Sequence, residues 1–391
     1  MQGGENKVPD GVSTLDNCKH VVVRVEVPLD YVHKEGKVEI VSKGLIKPSR
    51  PTPHHLRTHM LSFKDQFLPP IYVPMVLFYM NQETTISSAD IIANNSGRAQ
   101  LLKESLFETL TLFYPFAGRI KDHFPIDCND EGAYYVEARV NRPLCEFLEL
   151  ADSSYVPRLL PAEFSWSTPS AEGYVAMIQV TTFACGGIVI GACISHMIAD
   201  ATSVTTFLRS WAAMTRKSGE ETACPNFDAS FVFPQNVAYP REETLSAPFL
   251  KKNNMAVPPI PKHWMGNFLC AAMVITNETK LDKLVCHLRK TIRKVDGDIV
   301  TALQGDGGWL KFYEHIKEIG KASCAEAGEI DAIRFTSWCN FDLYEIDFGW
   351  GKPTWVTSTA STESETVFND TVLLMDTKIG KGVEALVYVD E

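Results

Sequence analysis

No run of roughly 18 apolar residues occurs in this chain, so no segment reads as a membrane-spanning helix. None of its ten cysteines forms a Cys-x-x-Cys pair, which argues against a structural zinc site and a thiol redox motif. Several lie inside apolar runs, such as Cys185, Cys193 and Cys270, and read as buried free thiols of a reducing compartment. Basic charge is short: 37 Lys and Arg face 48 Asp and Glu, a net charge of −11. That balance argues against a nucleic-acid partner, which calls for a basic patch. No Gly-x-Ser-x-Gly elbow is present, so a covalent acyl-enzyme is not indicated. Internal repeats and low-complexity tracts are missing too. The first residues carry Glu5, Asp10 and Asp16 with no long apolar core, unlike a signal peptide.

What remains is an ordinary globular composition, 45% hydrophobic and 22% charged over 391 residues. A chain of that length is expected to form two domains, because single cores stop growing near 250–300 residues. Val21 to Val27 alternates like a short strand. Ile71 to Tyr79, Ala133 to Val140, Val175 to Phe183 and Ile188 to Ile194 read as strands, the last two as a hairpin across Cys185-Gly186-Gly187. Leu101, Leu102, Leu106, Leu110 and Phe113 recur at helical spacing. A Pro-rich polar stretch, residues 224–261, reads as a crossover. Beyond it a strand is expected over Phe268 to Ile275. A helix should follow with Leu281, Leu284, Val285, Leu288 and Ile292 on one face, then another over Ile299 to Ile319. Three short strands close the chain, at Thr354–Thr357, Val372–Met375 and Val383–Val389.

His196-Met197-Ile198-Ala199-Asp200 carries the most information. It follows the apolar run Ile188 to Ile194 and precedes a helical run with Val204, Phe207, Leu208 and Trp211 in phase. His196 should stand at the end of a buried strand, and Asp200 just before a helix. The His-x-x-x-Asp spacing alone is weak evidence. A second match, His123 to Asp127, sits among Lys121, Asp122 and Asp130 and reads as a solvated connection. His54, His55 and His59 lack carboxylate or thiol partners and read as a surface run, so no metal is expected.

Two more segments give the motif a setting. Asp347-Phe348-Gly349-Trp350-Gly351 lies near the C-terminus, and Tyr114-Pro115-Phe116-Ala117-Gly118-Arg119 follows the first long helix. With Cys185-Gly186-Gly187 and His196 to Asp200, they resemble the BAHD family of plant acyl-CoA-dependent acyltransferases, closest to its vinorine synthase-like branch. The resemblance implies a two-domain α/β fold like chloramphenicol acetyltransferase, with mixed sheets flanked by helices. It implies an extension over residues 1–36, an N-terminal domain 37–223, the crossover 224–261 and a C-terminal domain 262–391.

By resemblance His196 is the general base, a role that suits an imidazole with a pKa near 6.5. Asp200, Asp347, Phe348, Gly349, Trp350 and Gly351 become structural. Thr336, Trp338 and Ser62 become candidates for oxyanion or substrate contact. The implied co-substrate is an acyl-CoA, acetyl-CoA by branch, and the acceptor an alcohol on an alkaloid or terpenoid. No permanent cofactor is implied, and a cytoplasmic monomer is expected.

The resemblance also implies something missing. Family members carry a further strand and two helices before the Pro-Pro-x-Pro stretch, here Pro258-Pro259-Ile260-Pro261, and a final helix. The absent segment would hold an arginine partner for Asp200; by register its position falls at Asn253. Asp200 is therefore expected to cap its helix without an arginine, with Lys251 and Lys252 the nearest cations by register. A catalytically impaired homologue stays open as the alternative reading.

Overall fold

The computed structural model describes residues 21–26, 37–68, 71–82, 88–120, 125–150, 153–161, 173–217, 224–235, 249–251, 263–271, 274, 276, 278–294, 301–305, 307–325, 333–359, 370–379 and 382–388. His123, Lys252 and Asn253 lie outside them.

Strands arise from the apolar runs. In chain order they are β1 Val21–Glu26, β2 Val38–Ile46, β3 Thr58–Met60, β4 Tyr72–Tyr79, β5 Arg119–Ile120, β6 Pro125–Asp127, β7 Ala133–Val140, β8 Ala176–Phe183 and β9 Ile188–Ser195. The second half adds β10 Phe249–Lys251, β11 Leu269–Ala271, β12 Arg334–Ser337, β13 Trp355–Thr357, β14 Thr371–Asp376 and β15 Val383–Tyr388. The helices are α1 Phe63–Gln66, α2 Ser88–Leu112, α3 Leu144–Leu150, α4 Ala201–Arg216, α5 Ala229–Val232, α6 Leu281–Lys294 and α7 Gly308–Ala325.

A six-stranded sheet runs β13-β4-β9-β8-β7-β2. Only its β7–β8 pair is parallel. Every residue of β4 and β9 is buried, because layers cover both faces. On one side Leu102, Leu106 and Leu110 of α2 pack with Val204, Phe207, Leu208 and Trp211 of α4 in one apolar cluster. The Trp211 indole donates to the Leu102 carbonyl at 3.1 Å, tying the two helices where a buried N–H needs an acceptor. The other side holds Val76, Phe78, Val189, Cys193 and Trp355. The β8–β9 hairpin closes as expected, with Gly186 at φ +82°.

A four-stranded sheet runs β1-β15-β14-β12. The N-terminal alternation is thus a strand: β1 pairs in parallel with β15, Val21 opposite Val383 through Glu26 opposite Tyr388. The two halves also share strands, since β13 of the C-terminal part pairs with β4.

Three expectations change. The strand expected over Phe268 to Ile275 is, among the described residues, only Leu269–Ala271. The helix expected over Ile299 to Ile319 is interrupted: Thr301 and Ala302 are helical, Gly305 at φ +78° breaks the run, and α7 resumes it from Gly308. His59 is no surface residue: it is buried edge-on to Phe227, ring centroids 5.5 Å apart, while His54 and His55 are exposed. A run of three histidines hid a strand alternation that turns His59 inward.

The second half is thinly covered. No described side chain of α6 is buried despite its amphipathic pattern, and Leu288 is 36% exposed. Neither face of β12 is buried.

Burial pulls the His59 imidazole down to about 4. The folded chain therefore binds a proton less readily than the unfolded one, and the His59 contribution to stability is complete above about pH 6.5 and lost as pH falls toward 4. We expect the stability difference between the native chain and His59→Leu to grow in favour of the native chain by about 3 kcal/mol from pH 4 to pH 6.5. Urea unfolding of both proteins across that range checks it; a difference that does not vary with pH would refute it.

Candidate active site

β9 ends at Ser195, and its last ladder position faces Tyr72 of β4. One residue on, the His196 backbone N–H donates to the Ile71 carbonyl at 2.7 Å. The strand pair thus carries the imidazole to the sheet edge and holds it there. A tight turn follows, with the Ile198 N–H donating to the Ser195 carbonyl.

Asn267 governs the ring. Its Oδ1 lies 3.0 Å from His196 Nδ1. Its Nδ2 donates to Asp65 Oδ1 at 2.8 Å and to the His196 carbonyl at 2.7 Å. Both amide hydrogens are therefore used, and the carbonyl oxygen must be the atom that meets Nδ1. An acceptor there calls for a proton on Nδ1, which leaves the lone pair on Nε2. Desolvation by burial lowers the His196 pKa, against smaller upward pulls from its own backbone, Asp200 and Asn267. A neutral imidazole with a free Nε2 is what a base at neutral pH needs.

Asp65 continues the chain. Its Oδ1 also accepts the Asn267 backbone N–H at 3.0 Å, and its Oδ2 accepts Ser62 N–H and the Ser62 hydroxyl at 2.8 and 2.7 Å. Ser62 is the N-cap of α1 and forms a capping box with Asp65. The Ser62 hydroxyl is buried and spent inside the protein rather than presented to a substrate.

Asp200 sits where expected, as N-cap of α4. Its Oδ1 accepts the Ser203 N–H at 2.9 Å and the Ser203 hydroxyl at 3.1 Å. That hydroxyl lies 3.2 Å from both the N and the O of Gly266. Asp200 thus supports, through Ser203, the residue next to Asn267. Gly266 has φ +134°, a conformation side chains rarely adopt, and an added Cβ would come 3.1 Å from the Ala229 Cβ. Asp200 Oδ2 is buried with no hydrogen-bond partner, and no arginine bonds to it among the described residues.

The Asp347 to Gly351 segment is a braced turn. Asp347 Oδ1 accepts the N–H groups of Gly349 and Gly351 at 2.7 and 3.0 Å. Both glycines have positive φ, +108° and +106°. Arg216, at the end of α4, donates to the Asp347 carbonyl, and Tyr79 to the Ile346 carbonyl at 2.9 Å. The Phe348 ring meets Trp211 edge-on at 5.0 Å and stacks on Trp350 at 5.8 Å. Trp338 is buried in the cluster that holds Met197 and Ile198. Thr336 lies half-buried on β12, and no hydrogen bond joins it to His196 among the described residues.

Sequence reasoning missed Asn267 and left Asp65 without a role. Met265-Gly266-Asn267 carries no periodicity, and its partners lie 71 and 202 residues away in the chain. The one local hint is a glycine directly before an amide.

The comparisons with known proteins show a transferase. The chain belongs to the Transferase family: the family model matches residues 36–255 and 251–391, and the family is that of the BAHD acyltransferases. The two matched stretches meet where the sequence was expected to lack a segment. A limonoid 7-O-acetyltransferase of Citrus sinensis is 39% identical over 435 aligned positions, covering 90% of this chain and 94% of the relative. Those positions outnumber the 391 residues here, so residues of the relative face gaps. Stemmadenine O-acetyltransferase of Catharanthus roseus is 31% identical, covering 91% of this chain and 94% of the relative. The crystal structure of vinorine synthase matches with TM-score 0.70 at 29% identity, over 90% of this chain and 94% of that one. The fold is thus of the expected chloramphenicol acetyltransferase-like kind.

Asp200→Ala removes the cap and the acceptor of the Ser203 N–H. We expect a loss of about 1 kcal/mol in stability by urea unfolding. Transfer activity should fall as well, because the Ser203 hydroxyl that meets Gly266 loses one of the partners that orient it. Unchanged stability and activity together would contradict this account.

Proposed function

We propose that this chain transfers an acetyl group from acetyl-CoA to a hydroxyl of an alkaloid or terpenoid-type plant metabolite, with His196 as general base. One observation carries the base assignment: the Asn267 amide, fixed by Asp65 and the His196 carbonyl, leaves Nε2 as the free nitrogen. The family and its O-acetyltransferase relatives support the reaction class, and acyl-CoA is the co-substrate of that class. One neighbour sharing the fold at TM-score 0.57 was solved with coenzyme A.

The chemistry follows from the site. The acceptor hydroxyl gives its proton to Nε2 as its oxygen attacks the thioester carbonyl. A tetrahedral oxyanion forms and collapses, expelling the CoA thiolate, which takes the proton back from the imidazolium. Asn267 Oδ1 accepts from Nδ1–H throughout, so the ring keeps its tautomer and orientation while its charge changes. No nucleophile need be acylated, and a ternary complex suffices. Thr336 and Trp338 remain proposed as oxyanion donor and pocket wall, and Ser62 as a brace of α1 rather than a substrate contact.

The two-domain division at 37–223 and 262–391, the crossover 224–261, a monomeric state and a cytoplasmic location belong to the same proposal. Free cysteines such as Cys128, Cys193 and Cys224 support a reducing compartment. No helix among the described residues is long and apolar enough to cross a membrane. A non-catalytic homologue is the less favoured alternative, because relatives matching nine-tenths of this chain are O-acetyltransferases.

The purified protein, given acetyl-CoA and a panel of limonoid and alkaloid alcohols, should release free CoA and an O-acetylated product. His196→Ala should abolish product formation while keeping a cooperative melt. Full turnover by His196→Ala would sink the base assignment. No product from the native chain, with no melting shift on adding CoA, would favour the alternative.

A further inference from the structure

We propose that Asp65 is a positioning residue for acyl transfer, acting through Asn267 to hold His196 in the tautomer that frees Nε2. The proposal rests on the reading of His196 as the base. Asp65 belongs to a one-turn helix, and a capping box accounts for only half of its carboxylate. Oδ2 serves the cap by accepting both Ser62 donors. Oδ1 is surplus to the cap and crosses 202 residues of sequence to take the backbone and side-chain N–H of Asn267. The second of these bonds decides which end of the amide faces the imidazole. With the amide reversed, an N–H would point at Nδ1, the proton would move to Nε2, and the base would be lost.

The carboxylate is 1% exposed and receives four N–H or O–H donors. Only the ionised form can accept all four. Burial pushes the Asp65 carboxyl up to about 6, and the bonds from Ser62 and Asn267 pull it back without cancelling the rise. Protonation near that pH takes away one acceptor position, so Asp65 links the tautomer of His196 to mild acid. The titratable groups described near it have the following partners. Lys64, next in the chain, points its ammonium at the Phe233 and Phe312 rings, 4.9 and 5.6 Å from their centroids. Asp200 faces Ser203, and Asp228 faces Asn226. His196 meets Asp65 only through Asn267. His263, on the segment leading to Gly266, is exposed.

A double-mutant cycle on kcat tests the proposal, with Asp65→Asn, Asn267→Ala and the pair together in the full chain. Asp65→Asn should lower kcat between about tenfold and hundredfold, with KM for both substrates held within about twofold. In the Asn267→Ala background the same change should cost nothing further, since the route from Asp65 to His196 is already cut. Additive losses would assign Asp65 to the cap alone and overturn the proposal, as would full kcat in Asp65→Asn. Should Asp65→Asn fail to melt cooperatively, the native protein carries the test through the imidazole 15N signals of His196. The Nδ1–H form should predominate at pH 8 and give way to a tautomer mixture as pH falls through 6. An Nε2–H form predominating at pH 8 would overturn the proposal. An inert His196→Ala beside a fully active Asp65→Asn would reject this inference and leave the base assignment standing; an active His196→Ala would reject the base assignment itself.

Discussion

Two hydrogens on one amide nitrogen hold the site together. Asn267 Nδ2 gives one to Asp65 and one to the His196 carbonyl, and this leaves the amide oxygen a single orientation. The imidazole is oriented by that oxygen, and the histidine backbone by the β9–β4 ladder and Ile71. The Gly266–Asn267 segment is braced from two directions. Asp65 takes hold of Asn267 directly, and Asp200 reaches Gly266 through the Ser203 hydroxyl. The two carboxylates come from opposite flanks of the cleft motif, one from a turn before β4 and one from the cap of α4. Neither bonds to the imidazole itself; both fix the backbone around it. Preorganisation of this kind lowers the entropy cost of reaching the reactive geometry, at the expense of burying two carboxyl groups.

The second conspicuous motif works on the same helix from its far end. Asp347 spends its carboxylate on its own turn, so its resemblance to a catalytic acid is one of composition only. Arg216, at the last turn of α4, donates to the Asp347 carbonyl, and Trp211 packs on Phe348. The turn then feeds β13, which pairs with β4, the strand that also pairs with the histidine strand β9. α4 is therefore fixed at its N-terminus by Asp200 and at its C-terminus by a loop from the other half of the chain. A shift of that loop would tilt the helix and carry the His196 turn with it.

The pattern of legibility has a physical cause. His196 and Asp200 could be placed because a continuous apolar run and a helical stripe bracket them, and both signals are local. The β8–β9 hairpin was equally plain from its glycines. Long-range partners leave no such trace. Asn267 and Asp65 look like ordinary polar residues until the fold brings them to His196. His59 failed for the opposite reason: two exposed neighbours, His54 and His55, suggested a common environment that the β3 alternation breaks. The helix expected from Ile299 is split before α7 because glycine conformational freedom outweighed an apolar spacing that was otherwise helical. Thr336 was chosen by resemblance alone, and no hydrogen bond joins it to His196 among the described residues.

The unpartnered oxygen of Asp200 ties the missing segment to the site. A buried carboxylate oxygen without a donor costs free energy, because water is removed and nothing replaces it. In this chain Oδ1 makes two bonds to Ser203 and Oδ2 makes none. The family match falls in two stretches that meet at 251–255, and the alignment with the limonoid acetyltransferase is longer than this chain. The same half of the molecule shows α6 without a buried side chain and β12 with neither face covered. The three features belong to the described residues of that half, where burial is sparse around both elements. The histidine side of the site does not depend on them, since Ser62, Asp65, Ser203, Gly266 and Asn267 are all present and bonded. The hydrogen bonds that orient the His196 ring are thus complete, while one oxygen of the carboxylate beneath its turn has no donor.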